Sequence, residues 1–255
     1  MTQHTLQGRI EKEILWFQRR DVMKAAAAWM AMGGLPVAMA QQRSNVVQLS
    51  GDALLNGTRL QPGQIIQTGD QLQTGPGSSL IFAMGNASFL VRQNTVMSVE
   101  RGLTLNTVSL LRIVTGAVAS VWTKGTDRSI ITPTLTAGIR GTGVYTEVVP
   151  DQDSRTYFCN CYGTVELFSG DVKKVSEAQY HQSFWSQTQG VPLSPTGAIN
   201  HSDEELEFLA QLMGQRTAWQ IAGRKGVKDG KGQMDATPAP YRSPGSLTQP
   251  LAWPR

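Results

Sequence analysis

From Val46 to about Val175, short runs of apolar residues alternate with turns that contain glycine. The runs have the length of β-strands, as in Ser79 to Ala83, and turn sequences recur every eight to twelve residues or closer. This spacing is typical of an all-β sandwich, barrel or solenoid, and not of alternating strands and helices. The pair Asn56-Gly57 predicts a hairpin turn, because both residues tolerate a positive φ.

The pattern changes after this body. Residues 176–222 predict a connection followed by a small helical appendage, and the Gly-, Pro- and Lys-rich residues 223–255 predict a disordered tail. Ser202 and Glu205 have the spacing of a capping box, and Gly214 is a typical helix end. The helix would rest on the sheet through four apolar residues: Leu206, Leu209, Leu212 and Met213.

The first forty residues predict an export signal. Arg19 and Arg20 precede an uncharged, mostly apolar run that closes with Ala38-Met39-Ala40. This order of features predicts cleavage after about Ala40 and a periplasmic protein, and the paired arginines resemble a twin-arginine signal. A run of about sixteen residues is shorter than the roughly 20 of a membrane-spanning helix. An uncleaved membrane anchor is the alternative interpretation.

Charge excludes one class of partner. The chain has 23 basic and 19 acidic residues, and removal of the leader takes away five and three of them, which leaves a net charge of +2. No basic stripe interleaved with aromatic residues occurs, so nucleic acid is not expected as a partner. The expected mature chain contains no further apolar run of membrane-spanning length, and its size suits a single β domain over residues 41–175.

The landmarks of this β domain resemble a known family. They occur in order over roughly residues 46 to 170 and match the periplasmic domain of FecR proteins: Gly51, Asn56-Gly57, Leu60, Gly63, Gly69-Asp70, Thr74-Gly75, Gly77-Ser78, Thr132-Pro133 and Ile139 to Thr142. The resemblance implies an all-β, solenoid- or sandwich-like domain that receives a signal from another envelope protein. In FecR regulators a cytoplasmic segment controls a sigma factor. Here only about 24 residues precede the apolar run, too few for such a segment.

The candidate chemistry lies in four residues. Beyond the leader, the chain has two cysteines and two histidines: Cys159, Cys161, His181 and His201. Cys159 and Cys161 would face the same side of a strand, with β-carbons about 6.5 to 7 Å apart, which favours a shared metal or two separate thiols over an unstrained disulfide. A Cys₂His₂ set suits zinc, and copper also accepts these ligands. Asp203 is predicted to hold the second ring nitrogen of His201.

Three interpretations of the cysteine pair stay open: a metal or metal-sensing site, a C-x-C disulfide or redox pair, and buried thiols without chemistry. The leading functional prediction is a non-enzymatic, periplasmic FecR-like module that binds or senses through contacts with an envelope protein. The alternatives are a metal- or thiol-handling protein that acts through Cys159, Cys161, His181 and His201, and a membrane-anchored signalling regulator. The sequence contains no catalytic or nucleotide-binding motif that favours an enzyme.

Overall fold

The computed structural model describes residues 44–102, 107–125 and 128–234. The predicted export signal lies outside these residues, as does the part of the predicted tail beyond residue 234. No helix of the described residues is long and apolar enough to cross a bilayer.

The described residues form sixteen strands and two short helices. The strands are β1 (Val46–Ser50), β2 (Ala53–Leu55), β3 (Thr58–Arg59), β4 (Gln71–Thr74), β5 (Ser79–Met84), β6 (Ala87–Val91), β7 (Val96–Arg101), β8 (Val108–Trp122), β9 (Ser129–Ile131), β10 (Thr136–Ile139), β11 (Gly143–Val149), β12 (Arg155–Ser169), β13 (Val172–Ala178), β14 (Tyr180–Ser186), β15 (Leu193–Thr196) and β16 (Lys231–Gly232). The helices are α1 (Asp203–Leu212) and α2 (Ala218–Ala222).

The strands pair into two sheets that share the long strands β8 and β12. Sheet A contains β1, β5, β6, β11, β14, β15 and β16, and sheet B contains β2, β3, β4, β7, β9, β10 and β13. Strand β8 leaves sheet B for sheet A near Gly116, and β12 leaves sheet A for sheet B near Gly163. Their φ values of 80° and 98° require glycine, because other residues adopt this region at a cost.

The main core lies between the two sheets. Side chains from sheet A, such as Phe82, Phe89 and Phe158, and from sheet B, such as Leu111 and Leu167, belong to one fully buried cluster. Strands β8, β11, β12, β10 and β9 pair in a closed ring, so the core is that of a β-barrel with additional strands. The predicted fold class is therefore confirmed: the structure is mostly β, with small C-terminal helices.

A second core lies on the outer face of sheet A. Tyr145, Tyr157 and Cys159 contribute to it from the sheet, and Leu206 and Trp219 from the two helices. Ser202 caps α1 by accepting a hydrogen bond from the backbone N–H of Glu205, so the predicted capping box is present. Gly214 has a φ of 64° just beyond α1, as expected of a helix end.

Two boundaries predicted from the sequence are wrong. The supposed connection contains β14 and β15, which continue sheet A beside β12. The supposed tail starts too early, because β16 pairs with β14, and Lys225 and Lys228 form ion pairs with Asp203. Glycines and lysines suggested disorder there, but the backbone pairing and the buried carboxylate hold these residues in place.

Candidate metal centre

The four residues singled out in the sequence meet at one point beneath the helical appendage. The candidate ligand atoms of Cys159, Cys161, His181 and His201 all lie within 4.8 Å of one another. Cys159, Cys161 and His181 have no exposed surface, and His201 is partly buried. Both cysteines are free thiols.

A bulge in β12 brings the two thiols together. Val144 of β11 pairs with Asn160 and Gly143 pairs with Tyr162, which leaves Cys161 as the extra residue. The bulge bends the strand and re-aims its side chains. The two Sγ atoms consequently lie 3.7 Å apart, closer than a regular strand would hold them and well beyond the roughly 2.05 Å of a disulfide bond.

A second irregularity aims His181. The pairing of β14 with β16 shifts register between Tyr180 and Gln182, and His181 has a φ of 39°. As a result, Tyr180 and His181 both contact Asp203, although neighbours in a regular strand face opposite sides. Positive φ is costly for a histidine, and such strain persists where the surroundings impose it, most often at functional sites.

The fourth residue comes from the loop before α1. Asn200 has a φ of 61° and its side-chain amide donates to Glu147 of β11. The following residue, His201, lies with its ring stacked on Tyr145, with centroids 4.7 Å apart. The loop and the helix cap thus fix the direction from which His201 reaches the two thiols.

The hydrogen bonds of the histidines define which nitrogens face the thiols. Nδ1 of His201 lies 2.6 Å from the carbonyl of Ile199, and Nε2 of His181 lies 3.0 Å from Asp203. A carbonyl and a carboxylate only accept, so these two nitrogens carry the protons. The opposite nitrogens are then acceptors, yet they lie 3.0 Å apart. Two facing acceptors need a shared cation, either a proton or a metal ion.

The ligand separations favour the metal ion. With Zn–S near 2.3 Å and Zn–N near 2.0–2.1 Å, a tetrahedral site has about 3.75 Å between sulfurs and about 3.5 Å between sulfur and nitrogen. Three of the six edges agree: the sulfurs are 3.7 Å apart, and each cysteine has a histidine nitrogen at 3.5 Å, His181 for Cys159 and His201 for Cys161. The two nitrogens, at 3.0 Å, are closer than the about 3.35 Å of the ideal site, and no separation exceeds 4.8 Å. The residues therefore fit a four-coordinate metal ion.

The thiols differ in their ionisation. Burial alone raises the pKa of Cys159, but a hydrogen bond from Cys161 and the charge of His201 outweigh it and hold this pKa well below its ordinary value. Burial and the hydrogen bond to Cys159 hold the pKa of Cys161 well above its ordinary value. The pair thus favours one thiolate and one thiol, and a metal ion held by both sulfurs would displace the remaining proton.

Asp203 supports the cluster, but not through the residue predicted. The sequence paired it with His201, whereas the structure places its Oδ1 3.0 Å from Nε2 of His181, because the bulge in β14 turns His181 toward α1. Burial raises the pKa of Asp203, but hydrogen bonds from His181, Lys225 and Lys228 outweigh burial and hold the pKa far below its ordinary value. The hydrogen bond to Asp203 likewise raises the pKa of His181 against the effect of burial.

Sequence reasoning missed the surroundings of the cluster. Trp219 of α2 stacks on His181 with centroids 5.4 Å apart and donates from Nε1 to Glu207 at 2.6 Å. Tyr180 donates to Asp203 at 2.9 Å. These contacts cross between distant segments, and only the aromatic character of the residues marked them in the sequence.

Comparisons with known proteins give a limited result. No family model matches the chain, and no curated protein matches it. Two solved chains of a "putative anti-sigma factor" from Parabacteroides distasonis ATCC 8503 are similar in structure, each with a TM-score of 0.42 and 10% sequence identity. The matches cover 56% and 58% of this chain and only 65% and 66% of those chains. Similarity at this level assigns no function.

Proposed function

We propose that the chain is a periplasmic, FecR-like binding or sensing module without enzymatic activity, whose Cys₂His₂ cluster is a zinc centre. The observation that carries the metal assignment is the convergence of four soft or imidazole ligands, Cys159, Cys161, His181 and His201, whose candidate ligand atoms all lie within 4.8 Å of one another. The S–S separation and two S–N separations are close to those of a tetrahedral zinc site. The envelope location and the FecR-like role rest on the leader pattern and the family resemblance in the sequence.

A closed ligand set favours a structural or sensing role over catalysis. Catalytic zinc sites keep one position open for water or substrate, whereas four protein ligands fill the coordination shell. The cluster joins β12, β14 and the loop before α1, so a bound ion would fasten the helical appendage to sheet A. Sulfur and imidazole ligands in a tetrahedron suit zinc best, and copper(I) is the competing ion to test.

Burial argues against the thiol-handling alternative. Cys159 and Cys161 have no exposed surface, and the helical appendage covers this face of the sheet. Thiol–disulfide exchange requires an attacking thiolate to reach its partner's sulfur. A metal ion has to enter this buried site only once, whereas the disulfide of a protein or peptide would have to reach the thiols at every exchange. The buried pair is therefore better suited to bind a metal ion.

The first experiment measures metal content. We expect the purified protein to retain one zinc ion per chain after gel filtration, and the Cys159→Ser/Cys161→Ser variant to retain none. Asp229→Asn, which alters an exposed carboxylate outside the cluster, is the matched control and should retain the full amount. Retention of copper instead of zinc would show that the centre binds copper. Retention of neither by the wild-type protein would end the metal proposal.

Strand β13 is the surface that we propose for the envelope protein partner. Among the described strands it pairs only with β12, and Val172 and Val175 are exposed along it. Open edges of this kind accept a strand from another chain. Cross-linking in envelope fractions should capture a partner with the wild type but not with Val175→Pro, and Asp171→Pro in the preceding turn is the control. Equal capture by both variants would exclude this edge.

The location and the leader are tested by mass. A mature protein that begins near Gln41 in the periplasmic fraction is the expected result. A chain that retains its first forty residues in the inner membrane would instead support the anchored regulator.

A further inference from the structure

A groove separate from the metal cluster lies between the outer face of sheet A and helix α2. Its volume is about 570 Å³, within the range of roughly 300–1,000 Å³ that is typical of small-molecule sites. Trp122 and Tyr162 line it from the sheet, and Ala218 and Ile221 line it from the appendage. None of the four candidate metal ligands lines it.

Among the described residues that line the groove, the charged side chains are cationic. Lys124 and Arg216 are exposed, the described part of the lining contains no aspartate or glutamate, and the guanidinium of Arg216 also donates to the backbone carbonyl of Gln220. Gln179 and Gln215 add side-chain amides to the lining. Two cations beside an apolar surface complement a molecule with an anionic group and an apolar body.

Apolar surface is left uncovered at the same place. The side chain of Ile221 is 70% exposed, although it belongs to a helix whose neighbour Trp219 is fully buried. The exposed side chain of Ile221 leaves apolar surface available to a ligand in the groove.

We propose that this groove binds a small amphiphilic carboxylate, with its anionic group held by Lys124 and Arg216 and its apolar body against Ala218 and Ile221. The proposal goes beyond the zinc centre, because it concerns different side chains. It gives the proposed sensing module a small-molecule ligand in addition to a protein partner.

The probe is dodecanoate, titrated calorimetrically into the purified protein below its critical micelle concentration. We expect one binding site, and at least about a tenfold loss of affinity in Lys124→Gln/Arg216→Gln, since each charge-assisted contact contributes substantially. Ile221→Asp should also weaken binding, because it places a carboxylate beside the apolar body. Lys173→Gln/Lys174→Gln, on β13, removes the same charge elsewhere and should bind as the wild type does.

Dodecyltrimethylammonium has the same chain length and the opposite charge, so it separates the groove from general apolar binding. We expect it not to bind at this site. Equal affinity for both amphiphiles, or unchanged dodecanoate affinity in Lys124→Gln/Arg216→Gln, would overturn the proposal. Zinc content measured on the same samples keeps this result distinct from the metal assignment, because the substituted residues are exposed and lie outside the cluster.

Discussion

The outer faces of sheets A and B differ, although one strand contributes to both. Before Gly163, the outward side chains of β12 include Tyr157, Cys159 and Cys161, and none of them is exposed. After Gly163 the strand continues in sheet B, and there Phe168 is 38% exposed. The outer face of sheet A is therefore a second interior, whereas that of sheet B meets solvent.

This difference shows what the helical appendage does. A sheet face rich in aromatic and small residues needs a cover, and α1, α2 and the segment that ends in β16 supply it. The metal cluster lies under this cover, at the point where His201 and Asp203 approach the bulges of β12 and β14. We infer that the cluster fastens the cover to the sheet.

The largest difference in stability between the two faces is expected when a large side chain is removed. Trp219→Ala should cost about 3–5 kcal/mol, as expected for a fully buried tryptophan. Phe168→Ala on the open face should cost about 1 kcal/mol or less, because much of that ring already contacts water. Urea unfolding with an unchanged m-value measures both. Equal losses would contradict the distinction between the faces.

The second-largest effect is expected from zinc binding, which should stabilise the covered face. Zinc at a hundred times its dissociation constant should add about 2.7 kcal/mol to the free energy of unfolding, and a chelator should remove this gain. Hydrogen exchange should slow in α1 (Asp203–Leu212) on zinc binding but change little in β13 (Val172–Ala178). In Cys159→Ser/Cys161→Ser, zinc should have no effect. Equal slowing of hydrogen exchange in α1 and β13 of the wild-type protein would contradict the claim that zinc acts locally on the covered face.

The carboxylate that supports the cluster gives a smaller effect. Asp203→Asn should weaken zinc binding about 10- to 100-fold, because it removes the charge that orients and polarises His181. Glu204→Gln alters the next carboxylate in the same helical turn, which makes no contact with His181, and should leave the affinity within a few-fold. Competition with a chromophoric chelator gives both constants. The account fails here if the two substitutions weaken binding equally.

The helix cap gives the smallest measurable change. Ser202→Ala should cost about 1 kcal/mol, since the serine accepts a hydrogen bond from Glu205 at the start of α1. Lys173→Ala on the open edge should change stability by no more than about 0.5 kcal/mol. Thermal unfolding of the two variants side by side resolves the difference. A neutral Ser202→Ala would mean that packing alone holds the helix.

The features that could be predicted from the sequence are those that depend on neighbouring residues or on composition. The capping box of α1 depends on Ser202 and Glu205, which are three residues apart, and it was predicted correctly. The four residues of the cluster could also be identified from the sequence, because the chain beyond the leader has only two cysteines and two histidines. The near-continuous apolar character of β12 before Gly163 is the mark of a strand that is buried on both faces.

The rest depends on contacts between distant segments. The pairing of Asp203 with His181 follows from a bulge and a φ of 39°, and no local rule predicts either. Lys225 and Lys228 lie in a stretch whose composition suggests disorder, yet both form ion pairs with Asp203. Strand partners are equally non-local, as in the parallel pairing of β8 with β9, so the sequence alone could not choose among a sandwich, a barrel and a solenoid.

X-ray absorption at the zinc edge tests the central claim most directly. For the zinc-loaded protein we predict two sulfur neighbours near 2.3 Å and two nitrogen neighbours near 2.0–2.1 Å, with imidazole scattering from both histidines. A first shell of oxygen and nitrogen without sulfur, or a protein that retains no metal at all, would contradict the account.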